Sequence, residues 1–206
     1  MAWLIRSVGV LVTLLSSAAV LDAALPKPQL APESVSLTGQ LLVASAAMGD
    51  PRFQRTVILI VQHNMSGAFG IAINRPVEER PLASLPGMPG EKDGIEGSVR
   101  IHAGGPVQPG LGFVIHTTDY KLPETNVING ELAMTASPGV LRDIGRKKGP
   151  QKTLIAFGYA GWGPNQLEAE LAHDAWFTIE ADSTLIFDEP RESVWDKAMA
   201  RRPREP

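Results

Sequence analysis

Cysteine is absent from this 206-residue chain. Disulfides, thiol nucleophiles, iron–sulfur clusters and thiolate zinc sites are therefore excluded together. The absence suits an exported protein that avoids wrong disulfides and suits a cytosolic one equally, so it assigns no compartment. A strong charge of one sign is also missing: 19 Lys and Arg stand against 22 Asp and Glu, a net of −3. So mild an acidity lacks the positive field on which non-specific nucleic-acid binding rests, and direct DNA contact is disfavoured. Local catalytic signatures are lacking as well. His63, His102, His116 and His173 form no HExxH or H-x-H set, and no serine occupies a GxSxG elbow. Gly104-Gly105-Pro106 has no Lys-Ser/Thr to complete a phosphate loop, and the glycines of 158–163 do not fit GxGxxG. Both tracts read as close backbone approach and positive φ. No catalytic residue, metal site or cofactor is expected from these motifs.

What is present is an ordinary globular composition. Apolar residues make up 44% and charged residues 20%, enough for one domain with a substantial core. The first 24 residues differ from the rest. Arg6 forms a short positive start, Val8 to Leu21 is an apolar run, and Ala18, Ala19, Ala23 and Ala24 follow. This is the layout of a secretory signal, with an uncleaved anchor as the near alternative and a misplaced start site as a third. Export or envelope association follows if the signal is real; otherwise the protein is cytosolic. Residues 25–36, with Pro26, Pro28 and Pro32, read as an extended linker, 37–200 as the domain and 201–206 as a tail.

Within the domain, Thr56 to Gln62 and Ala68 to Asn74 predict a hairpin around the Asn64–Gly67 turn. Val77 to Leu85 suits a short helix, and Pro86 to Gly97 a surface loop. Strands are expected at 99–103, 111–116, 127–128, 132–135, 153–157, 176–179 and 185–187. Ser137 to Lys148 predicts a helix, capped by Ser137, started by Pro138 and stopped by Gly149-Pro150. Its terminal Arg146, Lys147 and Lys148 complement the helix dipole better than they suggest a phosphate site. Further helices are expected at 164–173 and 193–201. Strands and helices do not alternate strictly, which disfavours a parallel nucleotide fold.

One segment has chemical content. Tyr159 and Trp162 end a strand, separated by small residues, and the following helix carries Gln166, Glu168 and Glu170. These groups either plug a core and a turn or face a pocket, and packing explains the larger share. His63 and Asn64 sit at a strand-turn junction. Asn74 and Arg75 lie at a strand end, where Arg75 suits a carboxylate or phosphate. The candidate ligand or partner surface is therefore His63, Asn64, Asn74, Arg75, Tyr159, Trp162, Gln166, Glu168 and Glu170.

Four blocks, LTGQLLVASAAMGDPRFQRTVILIVQHN (37–64), GAFGIAINRP (67–76), HAGGPVQPGLGFVIH (102–116) and GYAGWGPNQLEAELAHDAWFTIEAD (158–182), resemble successive blocks of the YqgE/AlgH family. The resemblance implies an α+β fold, one compact domain with a mixed, largely antiparallel barrel-like sheet and a few flanking helices. It implies no settled activity; one branch is named for regulation of alginate synthesis and labelled a transcriptional regulator. A non-enzymatic regulatory or partner-binding domain is the leading expectation, with an unknown protein partner. The alternative is a small-ligand binder or an enzyme using the 158–170 segment. A membrane is expected only through the N-terminal segment. Three departures from the family's pattern stand out. The family usually lacks a leader. Asn165 stands where Gly is frequent. Val61 and Gln62 stand where Cys and Glu are common, so a thiol-based role cannot operate here.

Overall fold

A computed structural model describes residues 35–86 and 97–203. The leader-like segment, nearly all of the linker, most of the 86–97 loop and the last three residues lie outside the described residues. Segment 34–206 forms one unit. No helix among the described residues is long and apolar enough to cross a membrane.

Among the described residues, ten strands build a single mixed sheet. They are β1 (Gln40–Ala44), β2 (Val57–Asn64), β3 (Gly67–Ala72), β4 (Pro76–Pro81) and β5 (Ser98–Ala103), then β6 (Val107–Thr117), β7 (Asn126–Val127), β8 (Leu132–Thr135), β9 (Thr153–Trp162) and β10 (Trp176–Glu180). The order is β10-β1-β2-β3-β9-β6-β8-β7, with the β4–β5 hairpin joined to β9 through β5. Every pair is antiparallel except β5–β9. The helices are α1 (Pro138–Gly145), α2 (Gln166–Ala172) and α3 (Val194–Met199). The expected α+β single domain with a curled, largely antiparallel sheet is what forms.

Strand β9 joins the two halves. Its early residues lie between β5 and β6, and its last three pair with β3. Gly158 sits at the changeover with φ +76, and a Cβ there would meet the Gly105 carbonyl oxygen at 2.4 Å. Only glycine lets the two chains cross this closely.

The sheet is covered on both faces. Leu41, Val43, Val57 and Leu59 pack with Leu185, Val194 and Trp195, while Leu42, Ala44, Ile58 and Ile60 pack with Leu167 and Trp176. Burial on both sides explains why β1 and β2 read as continuous apolar runs and not as alternating ones. A third cluster packs α1, through Val140 and Leu141, on Ile101, Val114 and Ile155. The full burial of Val140 and the near-full burial of Leu141 match the apolar face expected of this helix.

Several local expectations are corrected. Residues 77–85 open with strand β4, followed by one tight helical turn at Leu82–Ser84. Pro76 and Pro81 bracket the strand and its PVEERP sequence has no helical apolar stripe, so pairing to β5 prevails. Residues 185–187 form part of a wide helical turn, Thr184–Asp188, started by Asp182 Oδ1 accepting from the Thr184 N–H at 2.7 Å. Helix α1 stops at Gly145, ahead of Lys147 with φ +60. The Ser137 cap is present, its Oγ accepting from the Gly139 N–H at 3.3 Å. Strand β1 falls where the sequence reading places no element; its apolar run, Leu41 to Ala44, is half the length of β2.

Candidate functional site

Trp162, Gln166 and Glu170 come together at the end of β9 and on α2. Glu170 Oε2 accepts from both Trp162 Nε1 (2.9 Å) and Trp176 Nε1 (2.7 Å), and its Oε1 accepts from Gln166 Nε2 (2.9 Å). Gln166 Oε1 in turn accepts from the Gly163 N–H at 3.0 Å. The two indoles meet edge to face with centroids 6.1 Å apart, and Phe53 meets Trp176 at 5.5 Å. One carboxylate thus ties the last residue of β9, the first of β10 and the helix between them. No cation lies within ion-pair distance of Glu170 among the described residues.

A cleft of about 390 Å³ opens over this network. Its other wall is the loop after β1, with Met48, Asp50, Arg52 and Phe53, and Val107 of β6 also lines it. Asp50 and Arg52 at the mouth are paired at 2.7 Å. That hydrogen-bonded pairing holds the Asp50 carboxyl below its ordinary range.

Asn74 and Arg75 serve this wall from behind. Asn74 Oδ1 accepts from the Val57 N–H and its Nδ2 donates to the Arg55 carbonyl, both at 2.9 Å. Arg75 Nη2 donates to the Arg52 (3.1 Å) and Gln54 (2.7 Å) carbonyls and to Thr56 Oγ1. The pair clamps the 52–56 loop, so Arg75 acts here as a support of the cleft wall.

His63 is buried beneath α2. Its Nδ1 accepts from the Leu37 N–H at 3.1 Å, which leaves Nε2 to donate to Glu168 Oε1 at 2.9 Å. The imidazole therefore joins the chain at Leu37 to the first turn of α2. Asn64 is exposed in the hairpin turn, its Oδ1 accepting from the Ser66 N–H at 2.8 Å.

Tyr159 is separated from the rest. It packs on Phe69 (4.8 Å) and Phe113 (6.2 Å), within the cluster that also holds Leu41 and Ile71. Trp162 lies in the cluster on the other face, with Leu167 and Trp176. Residues three apart on a strand point to opposite faces, so the two rings do not share a pocket. Phe53, Asp50, Arg52 and Val107 were missed by sequence reasoning. Only strand pairing brings them to Trp162, and no local signal marks them. Trp176, fourteen positions after Trp162, carried a trace: large indoles flanking a short acidic helix.

The other histidines are partnered to different degrees. His116 Nδ1 donates to the Thr117 carbonyl at 2.8 Å and its Nε2 accepts from Thr135 Oγ1 at 2.9 Å. His102 Nδ1 donates to the Ile155 carbonyl at 3.1 Å, but its buried Nε2 has no hydrogen-bond partner among the described residues. Burial lowers the pKa of both. No three His, Asp or Glu gather in a metal-binding group among the described residues.

The AlgH-like family model matches residues 41–206. A UPF0301 protein of Cereibacter sphaeroides ATCC 17029 is 40% identical over 168 residues, covering 78% of this chain and 89% of its own. A UPF0301 protein of Rhodospirillum rubrum is 43% identical over 166 residues, covering 80% and 86%. The solution structure of the AlgH protein from Pseudomonas aeruginosa superposes with a TM-score of 0.67 at 37% identity, covering 87% of this chain and 94% of that one. A crystal structure of a Corynebacterium diphtheriae protein shares the fold alone, with a TM-score of 0.65 at 20% identity over 80% and 86% of the two chains.

Proposed function

The chain belongs to the AlgH-like family, and on that premise we propose that its domain is a non-enzymatic binding module whose ligand or partner seats in the Trp162–Phe53 cleft. The observation that carries this reading is the allocation of polar groups around the cleft. Glu170, Gln166 and Arg75 are engaged in internal hydrogen bonds. Such groups hold a surface in shape, which favours recognition over proton transfer. The cleft combines an aromatic floor with a polar mouth, the usual make-up of a binding site. A regulatory role suits such a module, acting through the partner it holds.

The test is a thermal-shift screen of metabolites and nucleotides, run beside a pull-down, on wild type and on Val107→Arg. Val107 lines the cleft and is 37% exposed, so a long side chain there obstructs it with little damage to the core. A ligand or partner held by wild type and lost by folded Val107→Arg supports the reading. No stabilising compound and an unchanged set of partners would sink it.

Export is part of the same proposal and rests on the Met1–Ala24 pattern. N-terminal sequencing of protein from fractionated cells is expected to begin near Ala24 in the envelope fraction. A cytosolic form beginning at Met1 would overturn export and leave the cleft reading intact.

A further inference from the structure

A second cleft, of about 610 Å³, lies elsewhere, between the β4–β5–β9 part of the sheet and the 186–192 segment. Its lining includes Arg100, His102 and Arg191. Arg100 and His102 are two apart on β5 and so share a face. Both are close enough to Arg191 for the charges to interact. Arg191 and His102 are buried, with 6% and 5% of their surfaces exposed.

One buried cation, Arg191, and one unsatisfied imidazole nitrogen, His102 Nε2, line this cleft. Arg191 donates to the Ile186 carbonyl at 2.7 Å, the Ile73 carbonyl at 3.3 Å and the Glu189 carbonyl, and no carboxylate pairs with it among the described residues. Arg100 likewise has no carboxylate within ion-pair distance among the described residues. His102 Nε2 is a buried nitrogen with no hydrogen bond. Four acids also line the cleft: Glu79, Asp188, Glu189 and Glu192. Asp188 is paired to Lys152 and Glu189 to Lys197. Glu79, opposite Arg100 in the β4–β5 register, and Glu192 are exposed, as Arg100 is, and solvent screens all three. Arg191 is the buried charge of this lining; it is screened far less, and it is positive, with the Glu189, Asp188 and Glu192 carboxylates offsetting part of its field.

We propose that this cleft is a second ligand site, for a compact oxyanion such as a carboxylate, sulfate or phosphate group, held by Arg100 and Arg191 with His102 Nε2 as its third contact. The two arginines, whose charges repel, are stabilised when an anion arrives between them. With Nδ1 already donating to Ile155, the neutral ring offers only a lone pair at Nε2. An oxyanion accepts and does not donate, so its binding favours the imidazolium, whose Nε2–H points a donor at it. Burial and the charges of Arg191 and Arg100 keep His102 neutral in the free protein near neutral pH. Binding therefore takes up a proton from solvent, and affinity rises as pH falls below neutral. The site is independent of the Trp162–Phe53 cleft, and neither stands on the other.

Sulfate is the probe, because it does not titrate over the relevant range. Calorimetric titration of the full chain, in two buffers of different ionisation heat and against chloride at equal ionic strength, reads affinity and proton uptake together. Sulfate affinity is expected to strengthen with falling pH by up to about tenfold per unit, the slope for one coupled proton. Arg100 is exposed, so Arg100→Ala keeps the fold and is expected to weaken binding about fivefold. His102→Gln, which keeps an amide donor, is expected to retain binding and lose the pH dependence. Sulfate that binds no better than chloride overturns the site. Binding that Arg100→Ala leaves unchanged, or that involves no proton uptake, overturns the assignment of these residues.

Discussion

Replacing Glu170 by Ala tests the network at the centre of the fold's second face. The substitution strands two buried indole N–H groups, since Trp162 is 7% and Trp176 3% exposed. Each stranded donor costs about 1–3 kcal/mol, or about 2–6 kcal/mol for the pair. The carboxylate borders the cleft, so water takes over part of its role, and the lower half of the range applies, about 3 kcal/mol. For a domain of this size each kcal/mol lowers Tm by about 2–4 °C, which gives a fall of about 6–12 °C. Glu170→Gln retains one carbonyl for the indoles and loses mainly the Gln166 bond, so its cost is expected near 1 kcal/mol. Urea unfolding followed by circular dichroism is the assay, because the altered tryptophans would distort a fluorescence signal. A Glu170→Ala loss below about 1 kcal/mol would refute the reasoning, showing that the indoles find other acceptors or that the network forms too loosely to matter.

Gly158→Ala is expected to abolish folding or destabilise by more than about 3 kcal/mol, because it combines positive φ with a Cβ set against the Gly105 carbonyl; recovery of soluble protein with near-native Tm would contradict the crossing geometry. Asn165 occupies the left-handed region at φ +59 ahead of α2, so Asn165→Ala is expected to cost about 1 kcal/mol and Asn165→Gly to change little, as urea midpoints will show. Burial depresses the pKa of His102 and His116 below the ordinary 6.5. The unfolded chain then binds more protons than the folded one just below that value, so stability is full above about pH 6.5 and declines as pH falls toward the folded pKa values. Unfolding free energies at about pH 8 and pH 5.5 measure this, and His116→Asn is expected to flatten the difference.

Much of the architecture was legible in the residues. The β2–β3 hairpin, the Ser137 cap and the close approach at Gly104, Gly105 and Gly158 each follow from local stereochemistry. The same stereochemistry explains why Asn stands at 165: after glycine, asparagine tolerates the left-handed region best. Legibility failed where two structures suit the same composition. The short apolar run 185–187 suits a strand as well as a helical turn, and the Asp182 hydrogen bond decides between them.

The proposed site was half legible. Trp162, Gln166 and Glu170 stand within nine positions, and the Gln166 and Glu170 side chains meet because a helix turn places residues four apart together. The loop 48–53 and Val107 join them only through the pairing of β1, β3, β6 and β9, which is long-range register. The burial of His63 and the engagement of Arg75 were hidden for the same reason: their partners, Glu168 and the 52–56 carbonyls, are distant in sequence or belong to the backbone.

By itself, then, the chain determined the chemistry it lacks, the caps and turns that local torsions demand, and the kinship carried by its ordered blocks. Tertiary structure decided which face each ring occupies. Tyr159 goes to one core and Trp162 to the other because β9 stays extended through Gly161 instead of turning there. It also decided which polar groups are engaged and which are left over. Every partner of Glu170 is held inside the fold, whereas His102 Nε2 meets none. Hydrogen-bond satisfaction depends on where separate strands and loops converge, and that is a property of packing that no window of sequence contains.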